Sequence, residues 1–355
     1  MRRQDSSVAA VGVLLLVPVA WAVAHLPPRL GLWLGRRLGD LAWVLLARRR
    51  AIALDNLRLA FRAERGDAEL RHIGRRSFEH LGMNLIEVCV FLFRPSDVFL
   101  RRVEIDGLEH LKDAAVQGRG VLLLTAHLGN WELLAAAQPL TGLPLSVVLR
   151  PLDQPRLDRV VERLRRRTGA ELISKRRALP DVLDALRRGR MVGILLDQNA
   201  TRAEGIFAPF FGTPASTSRG LAVIALRTEA PVVPVFIRRL ERGRHLIEVG
   251  PVVPPPERDV VAFTTSFNEA IENKQTAEQL ALKAQRDLER IKIEGEQKVV
   301  TARAEAESQR IQKETISPII LQLRAIEKWD GKFPQVIGGT GAMPFINIDT
   351  ASTKK

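Results

Sequence analysis

From residue 103 onward, short apolar runs alternate with segments in which apolar residues recur at helical spacing. The runs are rich in Val, Ile and Leu, as strands buried on both faces of a sheet are. Strands are predicted at 121–126, 145–149, 170–173, 191–196, 232–237 and 245–249. Helices are predicted at 131–138, 155–168, 178–188 and 217–228. This alternation indicates an α/β fold with a central, mostly parallel sheet under helical cover.

The amino-terminal region joins an apolar run to clusters of arginine. The run extends from Val8 to Ala24 and is broken only by Pro18. Three interpretations stay open for it: a membrane anchor, a cleaved signal peptide with an A-x-A site at 22–24, and a buried core helix. Residues 31–50 place Leu and Trp between Arg clusters, which is typical of a helix at a membrane interface. Because more Arg follow the run than precede it, the positive-inside rule puts the bulk of the protein in the cytoplasm.

Residues 51–100 repeat apolar residues at helical spacing, which predicts core helices without a polar cluster that indicates a site. Beyond residue 263 the pattern changes to dense, balanced charge with frequent Ala. No Pro intervenes from Glu269 to Glu314, which predicts one long exposed helix or coiled coil that needs a partner chain. The pattern therefore divides the chain into an anchor and interfacial helix at 1–50, a globular domain at 51–262 and a helical tail at 263–355.

Composition supports a junction near residue 263. Before it, 38 of the 40 basic residues are Arg, whereas nine of the fourteen after it are Lys. The net charge of +14 calls for an acidic partner, which is nucleic acid, anionic lipid or an acidic carrier protein. Nucleic acid is not expected, because no recognised binding module is present and the chain starts with a hydrophobic segment. The single Cys89 excludes an intrachain disulfide.

The segment VLLLTAHLGNWELL (121–134) carries the strongest candidate chemistry. His127 follows a buried strand, Asn130 is a good helix N-cap, and Glu132 falls in the first helical turn. A His held by a carboxylate has the tautomer and basicity needed to take a proton from a hydroxyl group. The helix start would offer N–H donors for an oxyanion or a phosphate. The alternative is a capped core histidine beside an acid that merely favours the helix dipole.

Further polar and apolar candidates follow other predicted strands. Arg150 comes after strand 145–149 and would pair with a phosphate or an acyl carrier, unless it is a solvated loop residue. Asp197 and Gln198 end strand 191–196, where the Asp either lines a site or caps a turn. Phe211 and Gly212 belong to a hydrophobic lip that an acyl chain would need.

Five short sequence motifs follow one another along the chain: HLGNWE, VVLRPLDQP, ILLDQN, FFGTPAST and APVVPV. They resemble the lysophospholipid acyltransferase superfamily, and within it the late acyltransferases of lipid A biosynthesis, over residues 8–255. The resemblance implies that residues 51–262 form an acyltransferase domain and that Asp197 and Gln198 line its site. It also implies that Arg167, which precedes the Gly of RRTGAEL, binds substrate. That family usually continues with a helical region rich in Trp and basic residues, which does not follow here.

The resemblance implies acyl transfer at the cytoplasmic face of a bacterial inner membrane. The donor is an acyl-carrier protein or coenzyme A thioester, and the acceptor is a membrane glycolipid or lysophospholipid. His127, oriented by Glu132, would take the acceptor's proton, N–H groups near Asn130 would meet the oxyanion, and no metal or cofactor is needed.

The tail resembles a different family. AIENKQTAEQLALKAQRDLERIKIEGEQ and LRAIEKWDGKFPQVIGGTGAMPFINID are similar to the carboxyl-terminal helical region of the stomatin/prohibitin family, whose members are membrane-associated scaffolds. The alternative function is therefore a non-catalytic scaffold that forms homo-oligomers through its tail. Three explanations stay open for the junction near 258–266: a natural fusion, an annotation or assembly artefact, and a deliberate chimera.

Overall fold

The computed structural model describes residues 17–149, 162, 166–167, 169–175, 178–256, 259–315, 323–324 and 326–328. Arg150 and nearly all of the predicted helix 155–168 lie outside these residues, as does the first half of the apolar run that begins at Val8. The chain divides into two compact units, Met1–Ala277 and Glu278–Lys355.

In the described residues before the sheet, the helices are α1 (Pro28–Leu45), α2 (Ala47–Phe61), α3 (Asp67–Phe93) and α4 (Ser96–Leu100). Residues 17–24 are also helical. Among the described residues, we find no helix whose length and apolar character would let it cross a membrane.

The elements that follow alternate much as the hydrophobic pattern predicts. The strands are β1 (Val103–Asp106), β2 (Val121–Thr125), β3 (Leu145–Leu149), β4 (Glu171–Ser174), β5 (Met191–Leu195), β6 (Gly205–Phe210), β7 (Thr213–Ser218), β8 (Val232–Arg239) and β9 (His245–Val249). The helices are α5 (Leu108–Val116), α6 (Trp131–Ala136), α7 (Ala178–Arg187), α8 (Gly220–Thr228) and α9 (Val260–Thr315). All six predicted strands are confirmed, whereas β1 and the hairpin β6–β7 were not predicted.

In the part of the chain that the structure describes, seven strands form the central sheet in the order β1-β9-β8-β2-β5-β3-β4. The five strands β8, β2, β5, β3 and β4 run parallel to one another, and β9 pairs antiparallel with β8. The prediction of a mostly parallel sheet is confirmed. Since β2 and β5 are parallel neighbours, the residues that follow each of them emerge side by side at one edge of the sheet.

The sheet has a buried core on each face. Alternate residues of β2 divide between them, with Leu122 and Leu124 on the face covered by α7, α8 and the start of α9. Val121 and Leu123 belong to the other face, which α5 and α6 cover. The run is apolar at nearly every position because both faces are buried, and Thr125 is its one polar residue.

The start of α9 is part of the globular unit. Phe263, Phe267 and Ile271 are buried at a spacing of one helical turn and pack into the core beneath the sheet. Asn268 donates from Nδ2 to the carbonyl of Pro209 at 2.8 Å, within the same unit. The unit therefore extends beyond residue 262, where composition placed the boundary, because a narrow apolar stripe is hidden in a segment that is polar on average.

Helices α1 and α3 pack with their backbones in contact. Gly31, Gly35 and Gly39 form the buried stripe of α1. A Cβ atom at Gly35 would lie 2.7 Å from the Cα atom of Met83, and one at Gly82 would lie 2.1 Å from the carbonyl oxygen of Gly35. This small-xxx-small packing fixes α1 against α3. We call this contact of Gly31, Gly35 and Gly39 with α3 the glycine seam. It holds the interfacial helix predicted at 31–50 to the globular unit, and it was not predicted from the sequence.

Candidate functional site

His127 and Asp197 meet at the carboxyl ends of β2 and β5. The imidazole Nδ1 of His127 lies 2.8 Å from Oδ1 of Asp197, and the backbone N–H of His127 donates to Oδ2 of Asp197 at 2.9 Å. Both carboxylate oxygens therefore hold the same residue, one through its ring and one through its main chain. The paired strands set this contact, because each residue lies two positions beyond a register pair, Thr125 and Leu195.

The contacts of the imidazole assign its tautomer. A carboxylate accepts hydrogen bonds, so Nδ1 of His127 carries the proton and donates it to Asp197. Nε2 is then the basic nitrogen, and the side-chain amide of Gln198 lies 3.3 Å from it. This is the tautomer that a general base requires, with its acceptor nitrogen pointing away from the carboxylate that orients it.

Exposure differs between the two partners. The side chain of Asp197 is 14% exposed, whereas that of His127 is 31% exposed. The ring of Trp131 packs edge-on against the imidazole with 5.0 Å between ring centroids. The carboxylate is thus more sheltered from solvent than the imidazole that it orients.

Glu132 lies in the first turn of α6, as predicted. The partner of Nδ1, however, is Asp197 and not Glu132. The orienting role that we assigned to Glu132 on the basis of spacing is therefore filled at this nitrogen by a residue seventy positions away. A catalytic role for Glu132 stays a prediction.

The loop that carries His127 is tightly confined. Gly129 has φ +61°, and a Cβ atom there would lie 1.8 Å from the carbonyl oxygen of Ile237 on β8. From the other side, Asn84 of α3 donates from Nδ2 to the Gly129 carbonyl at 2.6 Å. Only Gly meets both the positive φ and the close approach of β8.

Asn130 occupies the N-cap position of α6, but its side chain makes no capping hydrogen bond. Instead, its buried amide donates to Oε2 of Glu87 at 2.9 Å. The side-chain amide is thus directed into the protein toward α3. The substrate-binding role of Asn130, which was expected through the N–H groups near it, stays a prediction.

Glu87 is the centre of a buried polar network. Arg239, at the end of β8, donates to both carboxylate oxygens of Glu87 at 2.7 Å, and also to Oδ1 of Asn84. Burial alone would raise the pKa of Glu87, but the hydrogen bonds from Arg239 and His245 hold that pKa well below its usual range. Glu87 therefore remains a carboxylate inside the protein, paired with a guanidinium.

His80 borders the same network. Arg239 approaches Nδ1 of His80 at 3.1 Å, and since a guanidinium only donates, Nδ1 must be the acceptor. Burial, followed by the charges of Arg239 and Arg76, lowers the pKa of His80 to about 4. The imidazole is thus neutral at physiological pH.

The other predicted binding residues take different places. Arg167 donates to the backbone carbonyls of Phe91, Leu92 and Arg94 at the end of α3. Its guanidinium also lies 5.6 Å from the ring centroid of Phe91. These contacts satisfy carbonyls that a helix leaves unpaired at its carboxyl end. The predicted contact of Arg167 with substrate stays a prediction, and Arg150 lies outside the described residues.

Phe211 and Gly212 form the tip of the β6–β7 hairpin. Both have positive φ, +48° and +64°, as a two-residue turn of this kind requires. The tip is held by Glu272 of α9, which accepts from the Phe211 N–H at 2.7 Å, and by Arg62, which donates to the Gly212 carbonyl at 2.7 Å. The hydrophobic lip predicted here is therefore a clamped hairpin turn. Its part in binding stays a prediction.

An apolar cavity of about 70 Å³ lies between α6 and the sheet. Trp131, whose ring contacts His127, forms part of its wall, together with Thr125 and Leu195 from the ends of β2 and β5. Gly193, in the middle of β5, also lines it. The cavity therefore begins beside the candidate base and extends along the sheet.

Sequence reasoning missed the polar face of α3. His80, Asn84 and Glu87 recur at spacings of four and three residues, which places them on one face of the helix toward the His127 loop. Three polar side chains at that spacing in the otherwise apolar stretch 80–93 were a usable signal. We did not expect a cluster within 51–100.

Comparison with known proteins identifies relatives for most of the chain. A family profile described as bacterial lipid A biosynthesis acyltransferase matches residues 4–279. The lipid A biosynthesis lauroyltransferase of Escherichia coli strain K12 is 32% identical over 259 residues, which are 72% of this chain and 84% of the relative. The lipid A biosynthesis palmitoleoyltransferase of the same strain is 29% identical over 256 residues, 71% of this chain and 83% of the relative. The profile extends past residue 255, where the motif resemblance ends, and includes the buried start of α9.

The neutral His80 predicts a pH dependence of stability. On unfolding, its pKa returns from about 4 to about 6.5, so the unfolded chain binds an extra proton between these values. The free energy of unfolding should therefore fall as the pH is lowered from 6.5 to 4, by up to about 3 kcal/mol from this residue. Chemical denaturation at several pH values measures it.

His80→Gln keeps an acceptor for Arg239 but does not titrate, so its stability should depend less on pH than that of the wild type. His72→Gln, which changes an exposed histidine of the same helix, is the matched control and should follow the wild type. An identical pH dependence for His80→Gln and wild type would contradict the prediction.

Proposed function

Because the chain belongs to the bacterial lipid A biosynthesis acyltransferase family, we propose that it moves a fatty acyl group from a thioester donor to a hydroxyl group of a lipid A precursor. The donor is an acyl-carrier protein or coenzyme A. The observation that carries the proposed mechanism is the His127–Asp197 pair, which leaves Nε2 of His127 as an oriented base at the sheet edge.

In this mechanism the acceptor hydroxyl takes the place of the Gln198 amide at Nε2 of His127. His127 removes the hydroxyl proton while the oxygen attacks the thioester carbonyl carbon. Asp197 stabilises the imidazolium that forms, as a carboxylate at Nδ1 does. When the carbon–sulfur bond breaks, the thiolate takes the proton from His127, and the base is restored. Peptide N–H groups at the start of α6 are the expected donors to the oxyanion.

The acyl chain is proposed to enter the cavity between α6 and the sheet. Its volume of about 70 Å³ is roughly half that of an engineered ~150 Å³ cavity that binds benzene. A long chain therefore requires an outward movement of Trp131 or of α6.

The outer face of α1 is proposed to dock on the membrane that holds the acceptor. Trp33, Leu41 and Val44 are exposed on the side opposite the glycine seam, and Arg36 and Arg37 flank them. Exposed apolar side chains bordered by arginine are the pattern of a helix that lies in an anionic lipid surface. This docking agrees with a location at the cytoplasmic face of the bacterial inner membrane.

The scaffold alternative has less support. The helix α9 continues to Thr315 and exposes Leu288, Ile291 and Val300, so association through the tail remains a hypothesis. The stomatin/prohibitin resemblance lies mostly beyond residue 279, where the family match ends. Oligomerisation of the tail would be compatible with acyl transfer by the preceding unit, and the size of the protein in detergent tests it.

Transfer of labelled dodecanoyl groups from acyl-carrier protein and from coenzyme A to a lipid A precursor tests the mechanism. His127→Ala should lower kcat about a hundredfold or more, the scale of losing a general base. Asp197→Asn should do the same, because the new amide donates to Nδ1 and forces the proton onto Nε2. Full activity of Asp197→Asn would exclude it as the residue that orients His127.

Glu132→Gln belongs in the same series, as a test of the predicted His127–Glu132 pair. A loss as large as that of Asp197→Asn would show that both carboxylates serve the reaction. A folded wild-type protein that transfers acyl groups from neither donor would contradict the proposed function itself.

Filling the cavity should change the preferred length of the acyl chain. A Cβ atom at Gly193 has no neighbour closer than 3.9 Å, so Gly193→Val fits while its methyl groups narrow the cavity. Because one methylene in an apolar pocket is worth about 1–3 kcal/mol, transfer of dodecanoyl relative to decanoyl should fall about tenfold or more. Val192→Ile adds a methyl group on the opposite face of β5 and should leave the ratio unchanged.

Binding to vesicles tests the docking face. Replacing Trp33 and Leu41 together with Ser should lower the affinity for vesicles of anionic phospholipid at least about tenfold, since each buried apolar side chain contributes about 1.5–3 kcal/mol. Replacing the exposed Leu288 and Ile291 of the tail with Ser is the matched control. Equal vesicle binding by both double variants would place the docking surface elsewhere.

A further inference from the structure

The loop of residues 127–130 is held from three directions. Asp197 accepts from the backbone N–H of His127, and β8 confines Gly129 from one side. On the remaining side the contacts come from α3, where Asn84 donates to the Gly129 carbonyl and Glu87 accepts from the side chain of Asn130. Two of the residues that follow His127 are thus hydrogen-bonded to one face of one helix.

That face of α3 is itself fixed by a buried ion pair. Arg239 contacts both Glu87 oxygens at 2.7 Å and also donates to Oδ1 of Asn84, so one guanidinium orients both side chains that reach the loop. The side chains of Arg239 and Glu87 are 6% and 12% exposed. A buried charge pair with this many satisfied hydrogen bonds holds one arrangement, because removing any partner leaves a polar group unpaired.

We propose that Asn84, Glu87 and Arg239 are positioning residues for the acyl transfer, which set the place of His127 through the loop that follows it. This inference rests on the function proposed above. None of the three touches a reacting atom. Their part is to hold the backbone of residues 129–130, so that Nε2 of His127 meets the acceptor hydroxyl, and a displacement of about 1 Å in such an alignment costs about a hundredfold in rate.

The sharpest test is Asn84→Asp. This change keeps the shape of the side chain and an acceptor for Arg239, but it replaces the donor to the Gly129 carbonyl with an oxygen. Asn268→Asp is the matched control, because buried Asn268 likewise donates from Nδ2 to a backbone carbonyl, that of Pro209. Both changes should lower stability to a similar extent, which denaturation measures.

If Asn84 is a positioning residue, Asn84→Asp lowers kcat about tenfold to a hundredfold with little change in KM for the donor. Asn268→Asp should retain the wild-type kcat in its folded fraction. Glu87→Gln should lower kcat in the same way, whereas Glu79→Gln, which changes a buried acid of α3 that pairs with Arg76, should not. Equal effects of each variant and its control on kcat would overturn the inference.

A second readout separates this inference from the proposed function. The ¹⁵N resonances of the His127 ring, identified by their loss in His127→Gln, report its tautomer and environment without turnover. A change in these resonances in Asn84→Asp but not in Asn268→Asp supports positioning even if the wild type transfers no acyl group. Unchanged resonances in both variants overturn it. Absence of wild-type transfer alone would count against the reaction and not against the contact.

Discussion

The parallel pairing of β2 with β5 is the constraint on which the candidate site depends. Register pairs Thr125 with Leu195, and two residues later the chain places an imidazole against a carboxylate. A slip of one residue would turn every side chain of a strand to the opposite face. Both faces of the sheet are buried, so the apolar core that stabilises the fold also fixes the register and thereby the distance between His127 and Asp197.

A second layer of order comes from the buried polar network of Asn84, Glu87 and Arg239. The Glu87–Arg239 pair is buried, and desolvating two charges offsets much of what their attraction contributes. The pair instead favours one conformation of the site, because it accepts few alternative geometries. Arg239 orients Asn84 and Glu87, and these two residues contact the loop. The unit thus combines an apolar sheet that sets the distance with a polar helix face that sets the orientation.

The sequence predicted the sheet well because a strand buried on both faces is recorded in a continuous apolar run. His127 and Asp197 could each be placed at a strand end for the same reason. Their contact could not be predicted, since the order of strands in a sheet is a non-local property, and Glu132 was the nearest carboxylate along the chain. Spacing therefore favoured a local partner where the fold supplies a distant one.

Other differences have equally local causes. The β6–β7 hairpin was missed because its turn uses Phe211 at positive φ, where Asn or Gly is the usual signal. The buried start of α9 was missed because three apolar residues, Phe263, Phe267 and Ile271, are diluted by polar neighbours. In α9 the average composition of the segment therefore gave no information about the single face that packs.

The glycine seam between α1 and α3 has a mechanical consequence. Side chains that meet at an ordinary helix interface can change rotamer and so absorb a displacement, but at Gly35 and Gly82 the contact is between main chains. The two helices are consequently expected to move together as one rigid body. Helix α1 exposes Trp33 and Leu41, and helix α3 places Asn84 and Glu87 against the loop of His127.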